Sequence, residues 1–210
     1  ILISNYFDFN NKNLTLDISL HLGSLLAIVL YFKYDLLDFI YNKDLFIKII
    51  VSSIPVIIFG FFLVKLDLIE SLRSYKLIGW TTIIFGILLY FSDLIKVKKT
   101  IKTNFNYYSA LYIGFFQILS LVPGVSRSGI TITAGRFLNF SRVDSAKISF
   151  LISIPTLMAV SLYNLQSLLI QKNFDEYSLN FLGVIFSFIF SYLTIKFFIS
   201  FLKKFSLLLF

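Results

Sequence analysis

No cysteine occurs in the 210 residues, which excludes disulfides, thiolate metal sites and cysteine nucleophiles together. Charge is scarce as well. Asp, Glu, Lys and Arg make up 14% of the chain, against about 25% in an average soluble domain. Hydrophobic residues make up 58% and the mean hydropathy is +0.86, a balance that excludes both a water-soluble globule and a disordered chain. Proline occurs three times and histidine once. Acidic residues are outnumbered 11 to 19, for a net charge of +8. In a soluble protein that excess would suggest nucleic acid. In so apolar a chain, lysines at the cytoplasmic edge of a membrane account for it, and no nucleic-acid partner is expected.

What is present is a series of charge-free runs: residues 49–64, 77–92, 103–126, 148–171 and 177–195. A bilayer core of about 30 Å needs roughly 20 apolar residues of helix. Apolar segments at roughly 14–32, 45–64, 77–95, 147–170 and 179–202 meet that requirement and predict an all-α, polytopic membrane bundle. The connections are short and polar, so residues 1–210 read as a single integral membrane domain. Pro55 with Gly60, and Pro155, interrupt two of the segments and read as packing features of membrane helices. The chain opens at Ile1 without a methionine and closes in the apolar FSLLLF, so it reads as truncated at both ends.

Residues 103–147 break the pattern. The apolar stretch Ala110–Val122 is about 20 Å long as a helix and stops at Pro123-Gly124. PGVSRSG follows, then the short apolar GITITAGRFL, then a basic connection holding Arg136, Arg142 and Lys147. Two half-length helices meeting at such a break suggest a re-entrant hairpin over about 110–138; a single full span through 103–126 is the alternative. The distribution of basic residues separates them. With re-entry, one face collects Lys33, Lys43, Lys48, Lys96, Lys98, Lys99, Lys102, Arg136, Arg142, Lys147, Lys196, Lys203 and Lys204. The other face receives Lys12, Lys65, Arg73, Lys76 and Lys172. A full span would reverse every later loop and erase the asymmetry, so the positive-inside rule favours re-entry from the cytoplasm.

Re-entry places Arg127 near the membrane midplane, where a charged side chain costs about 2.5–3.5 kcal/mol and requires a partner. Ser126, Ser128 and Thr131 supply hydroxyls, and Gly124 and Gly129 let backbone N–H groups approach a ligand closely. A helix starting near Gly129 adds a positive terminus. Guanidinium, hydroxyls and amides together make an oxyanion site, and the planar arginine fork suits phosphate. The competing structural reading is an interfacial loop in which Arg127 reaches lipid phosphate. His21, with Asp17 one helical turn earlier, and Gln117 are further candidates for lining a polar pocket. For His21 a buried, hydrogen-bonded helix position is the alternative; for Gln117 it is service to the hairpin's free backbone groups. Asp93, beside the lysine-rich loop, reads as a solvated charge.

PGVSRSG, within SALYIGFFQILSLVPGVSRSGITITAGRFLNFSRVDSAKISFLISIP and with Gln117 six positions before the proline, resembles the second signature region of the undecaprenyl-diphosphatase (bacitracin-resistance) family. LDISLHLGSLLAIVLYF, SSIPVIIFGFF and LIGWTTIIFGILLY extend the likeness in order over nearly the whole chain. The resemblance implies hydrolysis of undecaprenyl diphosphate to undecaprenyl phosphate and inorganic phosphate, recycling the lipid carrier for cell-wall polymers. It also implies an inverted-repeat bundle with two re-entrant hairpins in the bacterial inner membrane, a pocket open to the periplasm, and a divalent cation (Mg or Ca). A homodimer is compatible with it. The family arginine falls on Arg127, and its serine and threonine positions fall on Ser126, Ser128 and Thr131. The family's first signature, E-x-x-x-E followed by Ser-Ser-x-Gly-His, does not occur in this sequence and by family order belongs upstream of Ile1. His21, in LHLGS, does not match that histidine. A carrier-lipid flippase and a structural membrane subunit are the rival functions; the subunit does not explain PGVSRSG, and the upstream sequence discriminates the other two: paired glutamates and Ser-Ser-x-Gly-His there favour the enzyme, and their true absence favours the flippase.

Overall fold

The computed structural model describes residues 14–41, 43–66, 74–170 and 174–209. These form α1 (Leu14–Tyr31), α2 (Lys33–Tyr41), α3 (Lys43–Lys65), α4 (Tyr75–Asp93), α5 (Ile101–Asn104), α6 (Tyr107–Ile118), α7 (Arg127–Phe137), α8 (Arg142–Ile170) and α9 (Phe174–Leu202). Single 3-10 turns follow at Leu119–Leu121 and Leu207–Leu209. Extended pairing among the described residues is one isolated bridge, Lys99 with Phe140, so the fold is all-α as expected. Among the described residues, four helical stretches are long and apolar enough to cross a membrane: Lys43–Lys65, Tyr75–Asp93, Arg142–Tyr163 and Asn180–Leu202. The expected first span is shorter, because its apolar stretch covers only Leu16–Tyr31. Trp80, Ile83, Ile87 and Phe91 on α4 and Phe181, Phe186, Phe190 and Phe197 on α9 are exposed, as helix faces turned to lipid tails should be.

The described chain divides into two compact units, one from residues 1–33 and 157–196, the other from 34–156 and 197–210. In the first, α1 meets α9 through small residues. Ser24 Oγ lies 3.0 Å from both Ser187 Oγ and Ser191 Oγ, and Ser187 Oγ donates to the Leu20 carbonyl at 2.6 Å. A Cβ on Gly23 would stand 2.7 Å from Ser187 Cβ. Lipid tails are as apolar as leucine, so membrane helices associate through such close approach and hydroxyl bonding rather than through hydrophobic burial.

The second unit is built around α6 and α7, which run out and back. Phe105, just before α6, packs edge-on against Phe140, just after α7, with centroids 6.2 Å apart. Phe116, in the last turn of α6, meets Phe137, the last residue of α7, with centroids 6.2 Å apart. The N–H groups of Lys98 and Lys99 donate to the Asn139 carbonyl at 3.0 and 3.2 Å. The two feet of the hairpin therefore share one end. Ile113, Ala134, Ile148 and Ile152, all buried, join α6, α7 and α8 in one core. Gly135 allows α7 to cross α8, since a Cβ there would lie 2.7 Å from Ser145 Oγ.

That shared end is locked by charge. Arg136 is 2% exposed and donates from Nη1 to the Phe140 carbonyl at 2.6 Å and from Nη2 to the carbonyls of Asp93 (3.0 Å) and Ile95. The Asp93 carboxylate receives both prongs of the Arg142 fork, at 2.6 and 3.0 Å, and the Leu207 N–H at 3.0 Å. This corrects the expectation of a solvated Asp93: its side chain is 5% exposed. The lysines that made it look solvated flank it in sequence, but its partners come from residues more than 40 positions away.

Removing one partner of a buried, hydrogen-bonded pair strands the other's charge, at a cost of about 3–5 kcal/mol. Asp93→Asn should accordingly lower the thermal midpoint in detergent far more than Lys76→Gln, an exposed-charge change outside the junction. Equal midpoints for the two variants would show that the junction contributes nothing.

Candidate functional site

The site is the break between α6 and α7. From Tyr107 to Leu121 the apolar helix has 15 residues, about 22 Å, and α7 has 11, about 16 Å, each well short of a bilayer core. Gly124, at the turn, has φ +92°, a left-handed conformation that side chains rarely adopt. A Cβ there would also lie 2.6 Å from the Ile78 carbonyl on α4. Thr81 Oγ1 donates to the Pro123 carbonyl at 2.7 Å and Thr82 Oγ1 to the Gly124 carbonyl at 3.2 Å. Glycine at 124 therefore has a conformational and packing reason to be there, and α4 holds the turn in place.

Ser126 caps α7: its φ/ψ are extended, and its Oγ accepts the Gly129 N–H at 3.2 Å. The Ile130 N–H donates to the Ser126 carbonyl at 2.9 Å, so the N–H groups of Arg127 and Ser128 precede the helix's first internal bonds. Ser126 Oγ lies 3.3 Å from Ser128 Oγ; Ser126 is exposed and Ser128 half-buried. Gly129 is half-buried beside the cap, where a Cβ would approach Ser126 Oγ to 3.3 Å. Capping occupies an acceptor lone pair of Ser126, and of the two neighbouring hydroxyls one can donate to the other while the second donates outward.

Arg127 opens the helix, half-buried. Its Nη1 lies 3.5 Å from Thr156 Oγ1, and among the described residues no carboxylate lies within 4.0 Å of its guanidinium. Thr156 belongs to a buried hydroxyl row on α8 with Ser149 and Ser153, spaced to share one helix face. Hydroxyls also bond carbonyls of α8 just before Pro155. Thr156 Oγ1 donates to the Ser153 carbonyl at 2.9 Å, and Ser53 Oγ on α3 donates to that of Ile152 at 3.1 Å.

Thr131 is 1% exposed, and its Oγ1 donates to Ser149 Oγ at 2.6 Å. In this structure its hydroxyl ties α7 to α8 one turn below Arg127. Gln117 is also 1% exposed, and its Oε1 has no hydrogen-bond partner among the described residues, so that atom does not serve the hairpin's free backbone groups. The structure thus assembles Gly124, Ser126, Arg127, Ser128 and Gly129 at one turn, with Thr131 behind them. His21, half-buried, and Asp17, exposed, fall in the other unit on α1. Sequence reasoning missed Thr81, Thr156 and Ser149. Their only signal was hydroxyls in otherwise apolar helices, and in membrane segments hydroxyls are also common as backbone partners.

A divalent cation needs several oxygen ligands, typically carboxylates. Among the described residues no group of three or more His, Asp or Glu side chains converges. The residues at this turn are a cation, hydroxyls and amides, which suit an anion and do not fit Mg or Ca.

Comparison with known proteins extends over the whole length of the chain. The family described as bacitracin resistance protein BacA matches residues 1–210. The chain is 48% identical over 202 residues to an undecaprenyl-diphosphatase of Pelagibacter ubique, covering 96% of this chain and 78% of that protein. It is 37% identical to an undecaprenyl-diphosphatase of Alcanivorax borkumensis (99% and 83%) and 36% identical to one of Saccharophagus degradans (99% and 82%). With a match that runs end to end and relatives this similar, the chain belongs to the bacitracin resistance protein BacA family.

Proposed function

We propose that this protein is an undecaprenyl-diphosphatase, hydrolysing undecaprenyl diphosphate to undecaprenyl phosphate and inorganic phosphate and so returning the lipid carrier to cell-wall synthesis. The observation that carries the reading is Arg127: a half-buried guanidinium without a carboxylate partner among the described residues, at the start of a helix too short to span, in a chain 48% identical to an enzyme of that name. A diphosphate headgroup supplies the missing negative charge, and its oxygens match the arginine fork bidentately.

Hydrolysis adds water to the terminal phosphorus and breaks its bond to the bridging oxygen, which leaves with the lipid phosphate. Charge builds on the phosphoryl oxygens during that transfer, and positioned cations and hydrogen-bond donors stabilise it. Arg127 fills this role, with the N–H groups of Arg127 and Ser128 and the hydroxyls of Ser126 and Ser128 oriented at the same opening. Thr131 and Thr156 hold the helix and the guanidinium in register. These residues bind and neutralise; the attacking group and the proton source are not assigned to any of them.

The same reading treats α6 and α7 as a re-entrant hairpin over about 110–138 within one integral membrane domain. The shared end of its two feet supports this, as do the short helices and the lysines at 96–102 beside those feet. The hairpin then enters from the cytoplasm of a bacterial inner membrane, and its tip opens toward the periplasm. The prenyl tail lies along lipid-facing helix surfaces.

Arg127→Ala in the full-length protein should lower kcat/KM for phosphate release about 10²–10³-fold, with Arg127→Lys recovering only part because a point charge lacks the fork. Turnover at the unsubstituted rate in the alanine variant would remove the assignment. Thr131→Val should behave differently from Ser128→Ala. The first breaks the buried bond to Ser149 and lowers stability by about 1–3 kcal/mol, read as thermal midpoint. The second should leave the midpoint in place and raise KM. The reverse pattern would make Thr131 the phosphate contact and Ser128 the structural residue.

A further inference from the structure

The junction at Asp93 brings two basic segments together at the end of the second unit. Residues 94–102 leave the span Tyr75–Asp93 and carry Lys96, Lys98, Lys99 and Lys102; Lys203 and Lys204 leave the span Asn180–Leu202. The Leu207 N–H bond to the Asp93 carboxylate (3.0 Å) and the Arg142 Nη1 approach to the Phe205 carbonyl (3.4 Å) place the second segment beside the start of the first. Lys99 is half-buried and the other five lysines are exposed. Among the described residues none of the six has a carboxylate within 4.0 Å, because the nearby Asp93 is taken up by Arg136 and Arg142. Apolar side chains are interleaved with them: Leu94, Val97, Phe205, Leu208 and Leu209 are all more than half exposed.

We propose that this end of the protein is a binding surface for anionic phospholipid headgroups. Like charges are held together here, and the one buried carboxylate near them is taken up by the two arginines beneath, so the lysines need an outside counter-charge. Their location at the ends of two spans puts them at headgroup depth, within a Debye length of a negatively charged leaflet. The exposed leucines, valine and phenylalanine suit the boundary between headgroups and acyl chains, where a soluble acidic partner would leave them wet. Anionic lipid is therefore the occupant. Its residues are separate from the phosphate turn, so the proposal stands or falls independently of the hydrolytic reading.

The test uses the full-length protein in phosphatidylcholine vesicles, with spin-labelled phosphatidylglycerol and spin-labelled phosphatidylcholine as probes. The electron paramagnetic resonance spectrum gives the motionally restricted fraction of each. Phosphatidylglycerol should be preferred by about fivefold or more at low salt, the effect of even one lysine at an anionic surface. That preference should fall toward unity in 0.5 M salt (on the order of a 4 Å Debye length). The variant with Lys96, Lys98, Lys99, Lys203 and Lys204 all changed to Gln should lose it, while Lys65→Gln with Lys76→Gln keeps it. Equal restriction of both probes by the unsubstituted protein would overturn the proposal, as would a preference that survives the five substitutions. So would displacement by inorganic phosphate beyond that by chloride at matched ionic strength, which would make the patch a phosphate site.

Discussion

A guanidinium without a counter-ion among its described neighbours is the constraint on which the rest of this structure depends. Arg127 can sit at the start of α7 only if something holds the helix there and something outside the protein answers the charge. The first need is met from three sides. The left-handed Gly124 and two threonines of α4 fix the turn, Thr156 and Ser149 of α8 take the side of the helix, and the Arg136 fork clamps its far end. On the proposed reading, the second need is met by an anion with several oxygens, the diphosphate of the lipid substrate.

The two arginines of α7 show how position divides one chemistry into two roles. Arg136, nine residues after Arg127, has an exposure of 2% and spends its donors on three main-chain carbonyls beside Asp93. Its two terminal nitrogens are satisfied by the protein and its buried Nε, without a hydrogen bond among the described residues, lies 3.7 Å from the Asp93 carboxylate, which makes the residue structural. Arg127 has one long approach to a hydroxyl and is left with donors to spare. A buried charge is tolerated where it is paired and hydrogen-bonded; the proposed function gives Arg127 its counter-charge from the bound headgroup.

Much of this was legible in the sequence. The helices at 14–31, 43–65, 75–93, 142–170 and 174–202 follow the apolar runs to within a few residues, because length and hydropathy leave little freedom inside a bilayer. The break at Pro123-Gly124 and the opening of a helix near Gly129 followed from turn and capping chemistry, with the start falling two residues early at Arg127. The Asp93 junction was not legible. A carboxylate among lysines looks solvated by local composition, and its true partners lie 49 and 114 residues away in sequence. Thr131 was read as a substrate contact from its place in PGVSRSG and the residues beyond. Periodicity on a short helix between a ligand turn and a packed neighbour cannot say which of the two a hydroxyl faces, and here it bonds Ser149.

These 210 residues contain no cysteine, so in a cysteine-free background a single introduced thiol reports its own surroundings. Ser126→Cys, at the cap beside Arg127, can be followed with a small water-soluble maleimide added from the periplasmic side of membranes carrying the full-length protein. The account predicts slow labelling that undecaprenyl diphosphate suppresses. Rapid labelling unaffected by the lipid would place the turn in open water, away from any bound headgroup, and would contradict it.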